Sequence, residues 1–70
     1  IDILQTGLAL VEGGIQYVEV TLNTPDALEG IESLRNALGE RAQVGAGTIL
    51  RPADALRAIS AGSQFVVTPT

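Results

Sequence analysis

An α/β fold with parallel strands is predicted by three observations: helical and strand periodicities alternate along the chain, glycine or proline marks every junction, and the pattern repeats weakly within itself. Parallel neighbours need a crossover connection, usually a helix, so alternation of this kind implies a parallel sheet built from βα units. At an offset of 48 residues, Leu8 matches Leu56, Val11 matches Ile59, Gly14 matches Gly62, Gln16 matches Gln64, Tyr17 matches Phe65 and Val18 matches Val66. Two βα units fill that offset at about 24 residues each, the compact spacing of a small (β/α)8 barrel.

The first helix is expected over Asp2 to Glu12, where Leu4, Leu8 and Val11 recur at spacings of four and three, and Gly13-Gly14 ends it. Ile15 to Leu22, rich in β-branched and aromatic residues, reads as a strand. Thr24 is the expected N-cap of the second helix, with Pro25 at its first position and Asp26 at the positive end of its dipole. Its apolar face is Leu28, Ile31, Leu34 and Leu38, and Gly39 is the stop. Ala42 to Ala46 reads as a short strand of small residues. Pro52 and Asp54 open a third helix with Leu56 and Ile59 on its inner side and Gly62 as its stop, and Gln64 to Thr68 is the last strand.

Three units cannot close a barrel, and the outer strands would keep unpaired apolar edges. Seventy residues also bury only about 60% of their unfolded surface, which is marginal for a parallel layer. The chain therefore reads as one incomplete domain over residues 1 to 70, a segment of a longer chain; its start at Ile1 rather than Met fits a cut.

Composition narrows the function classes. A net charge of −4, with four Arg, no Lys and no His, argues against a nucleic-acid surface and an anionic membrane. No Cys means no disulfide frame and no thiolate zinc site, which fits the cytoplasm. No apolar stretch approaches the roughly 20 residues that span a bilayer.

The best clue to chemistry is Glu19, a carboxylate inside the apolar run from Tyr17 to Leu22. Strand alternation puts Tyr17, Glu19 and Thr21 on one face and Val18, Val20 and Leu22 on the other. The apolar set should meet the helices, leaving Glu19 in the lumen, desolvated by neighbouring walls and raised toward a pKa at which it takes and gives protons. The plainer reading is a glutamate bonded to an arginine or facing water at the rim. Gly45-Ala46-Gly47-Thr48 is the second constellation: small residues admit an anion to backbone amides, with the Thr48 hydroxyl as donor, or they only make room for packing. Thr48 and Glu19 should fall at strand ends on the same face. Asn23 faces the mouth as a hydrogen-bonding ligand, or caps the second helix together with Thr24. Thr68-Pro69-Thr70 shapes the mouth, or is a plain strand stop. The four arginines, Arg35, Arg41, Arg51 and Arg57, fall on helices or loops, and most read as solvated faces.

Together, Gly13-Gly14-Ile15, Val18-Glu19-Val20-Thr21-Leu22, Val44-Gly45-Ala46-Gly47-Thr48, and Gly62 with Phe65 and Thr68-Pro69 resemble the 2-keto-3-deoxy-6-phosphogluconate (KDPG) aldolase family, which includes 4-hydroxy-2-oxoglutarate (KHG) aldolases. The resemblance covers essentially the whole chain and implies the stretch from the first helix to the fourth strand of a (β/α)8 barrel, usually a trimer. It implies a metal-free class I aldolase with no cofactor, in which a lysine forms a Schiff base with a small-molecule 2-oxo acid and cleavage releases pyruvate and an aldehyde. By the same resemblance Glu19 is the acid/base glutamate, Thr48 binds the pyruvate carboxylate and Pro69 lines that pocket. Many KDPG-cleaving members have arginine where this chain has Asn23, whereas aldolases for 2-keto-3-deoxy-6-phosphogalactonate resemble it with asparagine there. The chain contains no lysine; the resemblance implies that the Schiff-base residue lies on a later strand, beyond Thr70, and these residues alone are expected to be inactive. Two rival readings share the βα spacing: another phosphate-handling barrel, such as an epimerase or synthase, and a non-catalytic half barrel that associates through its edges.

Overall fold

The computed structural model describes residues 2–69, and the order of elements is the alternation expected: α1 (Ile3–Glu12), β1 (Tyr17–Thr21), α2 (Ala27–Leu38), β2 (Gln43–Gly47), α3 (Pro52–Ala61) and β3 (Phe65–Val66). The strands form one parallel sheet in the order β1-β2-β3, with Val18 beside Val44 and Val20 beside Ala46. Backbone bonds carry the pairing past the short β3, from Gln64 N–H to the Val44 carbonyl at 2.7 Å and from Val67 N–H to the Ala46 carbonyl at 2.8 Å. The Gln64 side-chain oxygen also accepts from the Val44 amide at 2.9 Å.

One face of the sheet is buried and the other is open. Val18, Val20, Val44 and Ala46 pack with Ile31, Leu34 and Leu38 of α2, as the strand alternation and the helical stripe require. Helix α2 is the centre of the layer, in contact with α1, α3, β1 and β2. Gly7 lets α1 approach it closely: a Cβ at Gly7 would overlap the Leu34 side chain. Leu4, Leu8 and Val11 of α1 are half-buried against this core.

Local chemistry shifts several boundaries. Strand β1 starts at Tyr17 rather than Ile15, because the Ile15 amide donates to the Leu10 carbonyl at 3.1 Å and is spent on the helix end. Thr24 is not the cap of α2. Its hydroxyl is hydrogen-bonded to that of Thr21 at 2.9 Å, and its carbonyl accepts from Ala27 in a turn with Pro25 and Asp26 at the centre. Asp26 occupies the cap position at φ 60, ψ 30, without a side-chain capping bond. Proline followed by a positive φ is the arrangement of a type II turn, so this turn precedes the helix instead of starting it. At α1, by contrast, the Asp2 carboxylate accepts from Gln5 N–H at 2.9 Å.

On α3 the inner residue is Ala58, fully buried, while Leu56 and Ile59 are 67% and 56% exposed. The expected inner side is therefore the outer one: alanines at 55, 58 and 61 let α3 lie close on the sheet and α2. Gly62 ends α3 at φ 112, as expected. Its carbonyl accepts from Arg35 Nε at 2.8 Å, so this half-buried arginine ties α2 to the end of α3 rather than forming a solvated face.

Candidate active site

Asn23 and Thr48 lie just past the carboxyl ends of β1 and β2, where parallel α/β proteins keep their chemistry, whereas Glu19, expected at a strand end, is the central residue of β1 and only its side chain reaches the end of β2 at Gly47. Glu19 projects from the sheet face opposite the helices, since its neighbours Val18 and Val20 point into the core. Its side chain reaches sideways over β2, where a Cβ at Gly47 would overlap the carboxylate. Glu19 is nevertheless exposed, contrary to the desolvated setting expected of it, because three strands leave this sheet face without a covering layer. No arginine bonds it among the described residues; Arg35, Arg51 and Arg57 have the partners named here.

Gly45 and Gly47 are buried, and the reason is side chains on their own sheet face. The Phe65 ring occupies the space a Cβ at Gly45 would need, as Glu19 does at Gly47. Phe65 meets Tyr17 edge to face, with centroids 6.4 Å apart and planes at 72°. The face thus carries an aromatic layer from Tyr17 and Phe65 and, nearer the strand ends, a carboxylate layer from Glu19. The glycines make room within the sheet, not for helix packing.

Thr48 follows Gly47 directly and is exposed at φ 59, a left-handed conformation that is rare for a β-branched residue. Thr48 and Asn23 line one cleft of about 500 Å³ between the loop after β1 and the start of α3, together with Arg51, Asp54 and Arg57. Both guanidiniums pair with Asp54, Arg51 at 3.2 Å, and their hydrogen bonds, that of Arg57 above all, hold its carboxyl below the usual carboxylate range. Asp26 and Glu29 also line the cleft, so its two arginines face three carboxylates and the lining is not net positive. Glu19 borders a different crevice, of about 160 Å³, between α1 and β1. The structure therefore brings Asn23 and Thr48 into one cleft and sets Glu19 beside them across Gly47. Pro69 is exposed beyond the end of β3, and Thr70 of the Thr68-Pro69-Thr70 motif lies outside the described residues.

Sequence reasoning missed the cleft arginines and the contacts of Gly45 and Gly47. The signal for the first was Arg51-x-x-Asp54-x-x-Arg57, whose spacing puts three ionic groups on one face of a helix start. The second was not legible, because strand partners must be known before a glycine can be matched to the side chain above it.

Comparison with known proteins identifies the family. The family model for KDPG and KHG aldolase matches residues 1–70. The chain belongs to the KDPG and KHG aldolase family. It is 43% identical over 61 residues to the KHG/KDPG aldolase of Escherichia coli K12, covering 87% of this chain and 28% of that protein. A crystal structure of the 2-keto-3-deoxy-6-phosphogluconate aldolase of Zymomonas mobilis ZM4 with 3-phosphoglycerate superposes with a TM-score of 0.87 at 43% identity, over 97% of this chain and 32% of that one. The KDPG aldolase from Legionella pneumophila, with pyruvate captured as a covalent carbinolamine, superposes with a TM-score of 0.82 at 37% identity, over 99% of this chain and 35% of that one. The chain thus spans about a third of the length of these aldolases, and its α/β architecture with parallel strands is that of their matching part.

Proposed function

We propose that these residues form one part of a single (β/α)8 domain in a class I aldolase that cleaves a 2-keto-3-deoxy-6-phospho sugar acid such as KDPG to pyruvate and glyceraldehyde 3-phosphate. The observation that carries the reading is the Glu19 carboxylate, which reaches from the middle of β1 over Gly47 at the carboxyl end of the adjacent parallel strand, one residue from Thr48. No lysine occurs in the chain, so the amine comes from outside it. That amine adds to the C2 carbonyl to give a carbinolamine, as with pyruvate in the Legionella enzyme, and loss of water gives the Schiff base.

Glu19 serves protons at each stage. Its acid form protonates the departing hydroxyl of the carbinolamine. Its carboxylate then takes the proton of the C4 hydroxyl; the C3–C4 bond breaks, the aldehyde leaves, and the bonding pair moves into the iminium to form an enamine. Glu19 returns the proton to C3, and water releases pyruvate. The Thr48 hydroxyl and the Asn23 amide hold the substrate's carboxylate end, and Pro69 lines the same pocket.

Asn23 favours a second reading of the substrate. A neutral amide in the cleft, where many KDPG-cleaving relatives have arginine, fits the galactonate epimer; 4-hydroxy-2-oxoglutarate is the remaining family substrate. The working enzyme is a cytoplasmic homo-oligomer, a trimer by family resemblance. The test is borohydride reduction of the full-length protein with pyruvate, which should add a covalent pyruvyl mass. Glu19→Gln should lower turnover by about 100-fold or more while the protein stays folded. An unchanged mass rejects the aldolase reading, and full turnover by the glutamine variant rejects the role of Glu19.

A further inference from the structure

We infer that Gly47 is a positioning residue for Glu19: the absence of a side chain at 47 fixes where the acid/base carboxylate sits. The inference rests on the aldolase reading above. Glu19 and Gly47 lie on adjacent strands of one sheet face, Glu19 paired with Gly45 and Gly47 with Thr21. A Cβ at 47 would overlap the Oε2 and Cδ of Glu19 and come within 3.0 Å of its Cγ. The three atoms nearest such a Cβ therefore all belong to the outer part of one flexible side chain.

This geometry separates position from stability. An alanine at 47 first meets the far end of a flexible side chain, which turns away about its own χ angles, so the sheet keeps its pairing. The carboxylate itself moves by about 1 Å or more to restore ordinary van der Waals separation. A displacement of about 1 Å in a reacting group lowers turnover by about 100-fold. Gly45 is the internal contrast. Its missing side chain seats the Phe65 ring, which sits against Tyr17 in the aromatic layer beneath and touches no reacting atom in the scheme above.

The first glycine of the Gly-Ala-Gly-Thr motif thus seats an aromatic floor, and the second seats the proton carrier above it. On this account the motif positions two neighbouring side chains instead of presenting backbone amides to an anion.

The test is a double-mutant cycle in the full-length enzyme, with kcat, KM and the pH profile of kcat measured for wild type, Gly47→Ala, Glu19→Gln and the double variant. Gly47→Ala should lower kcat by about 100-fold with little change in KM, and alter the same limb of the pH profile as Glu19→Gln. On the Glu19→Gln background it should cost less than about threefold more, because the group it displaces no longer works. A loss that multiplies fully with that of Glu19→Gln, or a Gly47→Ala enzyme with wild-type kcat, overturns the inference and leaves the aldolase reading intact. Wild-type turnover by Glu19→Gln, or no borohydride adduct in the wild type, overturns both. Should Gly47→Ala not fold, Glu19→Ala with Gly47→Ala decides: recovery of folding supports the contact, and continued failure overturns it.

Discussion

The close packing of helix α1 on α2 at Gly7 makes a quantitative prediction about stability. Leu34 is fully buried, and a Cβ at Gly7 would overlap its Cδ2. Leu34→Ala should cost about 3–4 kcal/mol, the usual range for a fully buried leucine in a site that relaxes only partly. Gly7→Ala gains about 1 kcal/mol of helix propensity and loses about 1–3 kcal/mol to overpacking, for a net loss of about 0–2 kcal/mol. In the double variant the new methyl enters the space that Leu34 vacates. It then recovers about 0.8 kcal/mol of buried methylene as well as the propensity term, so Gly7→Ala becomes stabilising by nearly 2 kcal/mol. The two changes should therefore couple by about 2–4 kcal/mol, with the double variant more stable than Leu34→Ala alone. Urea unfolding of the four proteins at one concentration measures it. Additivity within about 0.5 kcal/mol would show that Gly7 and Leu34 do not share this space.

Other outcomes follow from the caps and the charge cluster. Gly62→Ala should cost about 1–2 kcal/mol in the same assay, because φ is 112 and the new Cβ meets Arg35 Cγ at 3.1 Å. Equal stability of the two proteins would rule out strain at this turn. The Asp54 carboxyl is lowered from its ordinary 3.8 by hydrogen bonds from Arg57 and Arg51. Its contribution to stability is present above that ordinary value and is lost as pH falls through the lower folded one. Asp54→Asn should flatten this acid limb; an unchanged pH dependence of the unfolding midpoint would remove Asp54 from it.

Most of the fold was legible because its signals are local. Gly13, Gly39 and Gly62 end their helices, Ile31, Leu34 and Leu38 are the buried stripe of α2, and Val18 and Val20 face the core. Where the reading failed, a neighbour decided. The large residues Leu56 and Ile59 attract a periodicity argument, yet the close approach of α3 selects alanine for its inner side. Thr24 and Pro25 carry the composition of a helix start, but the Thr21 hydroxyl captures Thr24 first. Gly7 offered a faint hint, since a glycine inside a helix costs about 1 kcal/mol and usually marks close packing. The bond from Arg35 to Gly62 offered none, as it joins residues 27 positions apart.

At the site, strand alternation put Glu19 on the correct face, and the strand-end rule put Thr48 near it. The desolvation of Glu19 did not follow, because burial depends on what stands across the sheet and not on the strand itself. Asn23 and Thr48 share a cleft whose arginines became visible only once the loop after β1 was seen to approach the start of α3.

Thr48 adopts a backbone geometry that glycine or asparagine would accept with less strain. Selection for heat tolerance alone should therefore enrich such replacements at this position, and the hardier enzymes it yields should be the slower ones. A screen that ranks variants by melting temperature would discard the hydroxyl on which pyruvate recognition is proposed to depend, so thermostabilisation here needs activity as a second criterion.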